Sequence, residues 1–141
     1  MSEVEAQVSG GARNIKWTVS GLLLLLVATV AMNLPRGFSD DLSRIGKGKA
    51  AVVLVRDKNA VESMDLMNLL DRIRGQYAGQ VEFLLTDYDT PEGRAFMAAN
   101  NAVRVTLVLF DAGGKEVKVL TAPQTAANLQ QEITSITGAK I

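Results

Sequence analysis

The chain has 141 residues, with 15 Lys plus Arg balancing 15 Asp plus Glu, and it contains no Cys and no His. Without those two residues it can form no disulfide, thiol nucleophile, haem-attachment motif, Cys/His zinc site or imidazole-based triad, and only hard, oxygen-ligated metals stay open. A net charge of zero argues against a nucleic-acid binder, which carries a basic excess.

Residues 1–14 are polar, with Gly10-Gly11, Glu3, Glu5 and Arg13, and read as a short disordered tail. Residues 15–34 read as one transmembrane helix. No charge occurs from Trp17 to Leu34, and Leu22, Leu23, Leu24, Leu25 and Leu26 stand in a row. A bilayer core needs about 17–25 apolar residues as helix, so the run suffices. Lys16 and Trp17 suit the headgroup boundary, Arg36 anchors the other end, and Pro35 stops the helix. Two other readings stand beside this one. A cleaved signal peptide has Thr29 and Ala31 for its cleavage site, but the polar region before the core is long and carries two acids. The other is a buried helix of a soluble domain; five consecutive leucines with no polar face argue against it, since a surface helix would show a stripe. Simple Lys/Arg counting slightly favours the C-terminal side as cytoplasmic, while the positives closest to the membrane lie on the N-terminal side. Arg13 and Lys16 flank one side, while Arg36, Arg44, Lys47 and Lys49, offset by Asp40 and Asp41, flank the other.

Residues 35–49 form a polar linker, with a helical turn over residues 39–45 capped by Ser39. The domain proper is expected at 50–138. Ala50 to Val55 is a continuous apolar run suited to a strand covered on both faces. Asn59 and Glu62 are spaced as a capping pair for a helix to Tyr77. That helix carries Leu66, Leu69, Leu70, Ile73 and Tyr77 on one face, with Gly79 as its stop. Val81 to Thr86 is a second strand. Thr90 and Pro91 then start a short helix that ends near Ala99, before Asn100-Asn101. Val103 to Phe110 is a third strand, and Asp111 to Gly114 a hairpin turn. The returning strand, Lys115 to Leu120, alternates Val117 and Val119 with charges. After Thr121 to Gln124, which repeat the capping pattern, a last helix buries Ala126, Leu129, Ile133 and Ile136 and ends at Gly138. The result is an α/β domain: a mixed sheet with helices on both faces.

This order, over about Gly46 to Gly138, resembles the thioredoxin-like fold family. Four local matches carry the resemblance: the first strand leading into a long helix, the helix ending Tyr77-Ala-Gly79, the Thr86-Asp-Tyr-Asp89 turn, and the segment from Val103 through Gly113-Gly-Lys115. The resemblance places the family's redox motif on Ala60-Val61-Glu62-Ser63, with both cysteines replaced, by Ala60 and Ser63. The family's buried acid falls near Leu54 and its cis-proline on Val105, where a cis peptide would be costly and trans is expected. Thiol–disulfide exchange needs a thiolate, so the resemblance implies a redox-inactive member and no enzyme.

The other candidate groups are weak. Ser63 has no evident activating base. Glu82, Asp87, Asp89 and Glu92 read as an acidic cluster at a strand end, open in principle to Ca²⁺ or Mg²⁺, but without the glycine and bidentate acid of an EF-hand. Gly10-Gly11 and Gly113-Gly114 lack the context of a phosphate loop. Met64, Met67 and Met97 fit ordinary core spacing. Ala60, Val61, Ser63, Met64 and Val105 make up a candidate partner-binding face.

The expectation is a single-pass membrane protein that holds a non-catalytic domain as a protein-binding, scaffold or assembly subunit of a membrane complex. It has no cofactor and no nucleic-acid partner. By analogy with anchored members of the family, the domain faces the periplasm from a bacterial inner membrane. The alternatives are an accessory to thiol chemistry supplied by a partner protein, and a ligand-binding α/β domain of another fold.

Overall fold

The computed structural model describes residues 15–28 and 37–138, in two compact units, Met1–Gly37 and Phe38–Ile141. In the first unit, residues 15–28 form a helix (α1) whose Trp17 and Leu22 to Leu26 are exposed. Among the described residues no helix is long and apolar enough to cross a membrane. The tail at 1–14 and the end of the expected span at 29–34 lie outside the described residues.

The second unit runs β1 (Ala50–Arg56), α2 (Val61–Ile73), β2 (Val81–Asp87), α3 (Pro91–Ala99), β3 (Thr106–Phe110), β4 (Glu116–Thr121) and α4 (Ala126–Thr137). The sheet order is β2-β1-β3-β4, with β1 and β2 parallel and the other pairs antiparallel. β1 is central, which is why its sequence is apolar without alternation. Its period of two divides the core into layers. Val52 and Leu54 join Leu107 and Leu109 under Leu66 and Leu70 of α2 and Leu129 and Ile133 of α4. Val53 and Val55 join Leu84 and Val108 on the opposite face, under Phe96 of α3. Truncating one of these fully buried leucines to alanine typically costs about 2–5 kcal/mol. Because β3 lies beside β1, the topology is the one the resemblance implies, and it removes the ground for a differently connected α/β domain.

Several local expectations are corrected. The residues expected as a linker pack onto the domain from Phe38 onward. Leu85 N donates to Ser39 O (2.9 Å), and Phe38 packs on the core with the Arg74 guanidinium 4.7 Å from its ring centroid. Ser39 does not cap the following 3-10 turn, Leu42–Arg44; Asp41 does, accepting from Ser43 N. Gly46 and Gly114, both at positive φ, bring this segment onto the β3–β4 hairpin, where a Cβ on Gly114 would stand 2.9 Å from Gly46 Cα. α2 stops at Ile73 and the chain continues as a 3-10 turn, Arg74–Tyr77, before Gly79 at φ +80°. Its N-cap is Ala60, with no side-chain cap, in place of the expected Asn59–Glu62 pair.

Thr90 caps α3 as expected, its Oγ1 accepting from Gly93 N (3.0 Å), and Pro91 is the first helical residue. The third strand starts three residues late because Val105 sits at φ +61°, a left-handed conformation that no pleated strand accommodates. In β4, Val117 is 51% exposed, so the edge strand is wet beyond its charged positions. α4 is capped by Thr125 and begins at an exposed Ala126; only Leu129, Ile133 and Ile136 of the expected face are buried.

Candidate functional site

The C-terminal end of β1, the first turn of α2 and the segment before β3 converge on one open cleft of about 530 Å³. β1 delivers Asp57 to its floor, 5% exposed. A carboxylate this buried needs partners. Asp57 Oδ1 accepts from Asn59 N (2.9 Å), and Oδ2 accepts from Arg104 Nη1 (3.4 Å). Arg104 is mostly exposed, with its guanidinium 6.0 Å from the Tyr88 ring centroid. The first-turn geometry follows from the same residues: Ala60 N donates to Asp57 O (3.1 Å), which turns the chain into the helix.

Ser63 turns inward. It is 1% exposed, and its Oγ accepts from Asp57 N (3.0 Å). It therefore fastens the strand end to the helix and does not stand exposed with the other residues of the expected partner-binding face. Ala60 and Val105 line the cleft. Val61 (71% exposed) and Met64 (61% exposed) stand on the first turn of α2, and Val103 (61% exposed) on the segment before β3. Val105 also packs on the core, and its N–H donates to Val55 O (2.9 Å). The Arg104–Val105 peptide is trans, as expected; the cis bond among the described residues is Ala122–Pro123. The position that the resemblance reserves for a buried acid is apolar, with Leu54 fully enclosed.

The expected acidic cluster is not one site. Glu82 and Asp87 are five residues apart on β2, about 16 Å at strand rise. Glu82 pairs with Arg44 (3.5 Å) and Lys49 (3.9 Å). Asp87 lies opposite Arg56 in the parallel register and takes a two-pronged pair from it, Nε–Oδ1 2.6 Å and Nη2–Oδ2 3.1 Å. Lys58 Nζ adds a contact at 2.9 Å. The Arg56 hydrogen bonds, helped by Lys58 and opposed by burial, hold the Asp87 carboxyl below its ordinary range. The same pair raises the Arg56 guanidinium. Among the described residues no three acids stand together as metal ligands.

Sequence reading missed Asp57 and Arg104. Asp57 read as the end of a strand, and its partner lies 47 residues away, a separation no local pattern reports. The left-handed Val105 carried no signal either, since valine is the wrong residue for that conformation.

No protein-family model and no curated protein matches the chain. Solved structures do match. An uncharacterised thioredoxin-like protein from Clostridium perfringens superposes with a TM-score of 0.64 at 12% identity, over 71% of this chain and 80% of that one. A mutant thioredoxin from Halobacterium salinarum gives 0.58 at 21% identity, over 72% and 85%. Trxlp from Edwardsiella tarda gives 0.56 at 17% identity, over 64% and 87%. The domain has a thioredoxin-like fold, α/β with a mixed sheet and flanking helices.

Proposed function

We propose that this protein is a membrane-anchored, non-catalytic thioredoxin-like module that docks a partner protein, as an accessory or assembly subunit of a membrane complex. One observation carries the reading. The start of α2 presents Ala60 and a buried, hydrogen-bonded Ser63 where redox members of the fold would need thiols, while Val61 and Met64 stand exposed beside the cleft. Exposed apolar residues gathered at one end of a domain mark docking surfaces. The apolar run from Trp17 to Leu34 supports the anchor, and the resemblance favours a periplasmic domain on a bacterial inner membrane.

A photo-crosslinking residue placed at Val61 or Met64 in the full chain, in intact cells, tests the docking. A discrete adduct at these positions, absent at Val117, which is also exposed, is expected. Adducts equal at all three positions would overturn the docking face, and thiol-independent turnover by the purified protein would overturn the non-catalytic reading. Resistance of the chain to carbonate extraction and a reporter fused after Ile141 test the anchor and the side of the membrane.

A further inference from the structure

Independently of the docking role, we propose that a cavity at the outer edge of β2 binds a small aliphatic diamine. The cavity holds about 460 Å³ and is lined from residues 38–40, the end of β2 and the start of α3. That volume lies in the range of small-molecule sites. β2 is an outer strand of the sheet, and Ser39 covers its edge with a single bridge, Leu85 N donating to Ser39 O (2.9 Å). This bond fixes Phe38 and Asp40 in the cavity wall, and the Thr90 cap fixes Glu92 there.

Thr86 carries the proposal. It is 6% exposed and lines the cavity. Among the described residues nothing hydrogen-bonds its hydroxyl, and no sealed side-chain polar atom lacks a partner, so this hydroxyl opens into the cavity. A buried hydroxyl without a protein partner leaves a hydrogen-bonding position for a ligand. The charges around it select a cation. Asp40, Asp87 and Glu92 line the cavity against one lining guanidinium, Arg56. Arg56 is held by Asp87, which also takes Lys58 from outside the lining. Asp40 and Glu92 are exposed and have no ion pair among the described residues. No third acid joins them as a metal ligand. Carboxylates supplied singly by two elements suit two ammonium groups joined by methylenes. One ammonium donates to Thr86 Oγ1 and a carboxylate, the second to the other carboxylate, and the methylenes rest on Phe38 and Leu85.

Isothermal titration calorimetry of the full chain in neutral detergent micelles, with the diamine putrescine, tests the proposal. Saturable binding is expected, about tenfold tighter than for n-butylamine and absent for butanediol. Asp40→Asn/Glu92→Gln should weaken it about tenfold and Thr86→Val about fivefold, with circular dichroism reporting the fold of each variant. Should Thr86→Val not fold, hydrogen exchange at the Leu85 amide of the parent decides in its place, and putrescine should slow it. No saturable binding, equal binding of butanediol, or binding unchanged in Asp40→Asn/Glu92→Gln would overturn the proposal. So would binding that survives a folded Thr86→Val intact, or Leu85 exchange indifferent to putrescine, either of which marks attraction to surface carboxylates only.

Discussion

Replacing Gly93 with alanine tests how α3 is seated on the end of β2. Gly93 is the third residue of α3, at ordinary helical φ, so its need for glycine is steric and not conformational. A Cβ there would lie 1.8 Å from Asp87 O and 2.7 Å from Asp87 C. Real Cβ contacts stay beyond 3.0 Å, so backbone must retreat by at least 3.0 − 1.8, or 1.2 Å. That retreat strikes three hydrogen bonds at one point: Thr90 Oγ1 to Asp87 O (2.8 Å), Thr90 N to Asp87 O (3.2 Å) and Gly93 N to Thr90 Oγ1 (3.0 Å). At about 1 kcal/mol each, their loss totals about 3 kcal/mol. Alanine returns about 0.5–1 kcal/mol through helix propensity and a stiffer unfolded chain. Gly93→Ala should therefore destabilise by about 2–3 kcal/mol and lower Tm by roughly 10 °C or more. The assay is equilibrium urea unfolding of the full chain in micelles, followed by circular dichroism. Gly75→Ala is the control, because nothing lies within 4 Å of a Cβ there; its stability should match or exceed the parent. A Gly93→Ala variant within about 0.5 kcal/mol of Gly75→Ala would refute the close approach.

Three further outcomes follow from the same geometry. At Val105 the usual order of alanine over glycine should invert, with Val105→Gly more stable than Val105→Ala by about 1 kcal/mol in urea unfolding, because alanine keeps the left-handed penalty at φ +61° while losing the valine contacts. Asp87→Asn should cost about 1–3 kcal/mol near neutral pH. Since the folded carboxyl is held below its ordinary value, the Asp87 contribution is complete above about pH 4 and lost as the pH falls further, so urea titrations from pH 7 to 2.5 should converge for parent and variant. Ser63→Ala should cost about 1–3 kcal/mol by leaving the Asp57 N–H without its acceptor, and hydrogen exchange at that amide should quicken; unchanged exchange would show the bond to be absent.

The elements of the domain were legible because each is announced locally. The central strand is an unbroken apolar run, α3 opens on Thr90-Pro91, the hairpin turns at Gly113-Gly114, and α4 closes at Gly138. The charge-free run from Trp17 and the missing Cys and His are likewise properties of the sequence, and with them the exclusion of self-supplied thiol chemistry. Boundaries failed where tertiary contacts override propensity: at the start of β3, where Val105 takes a conformation its own side chain disfavours, and at residues 38–49, whose polar composition reads as linker although Phe38 and Gly46 dock on the domain. The site depended most on the fold. Ser63 faces inward because Asp57 N needs an acceptor there, and Arg104 reaches Asp57 across 47 residues as Arg56 reaches Asp87 across 31. Periodicity and capping act over three or four residues, so the sequence alone could say which segments are helix or strand and which chemistries lack their atoms. Which exposed side chains share a cleft depends on strand order and register, and those are decided only when the sheet closes around its core.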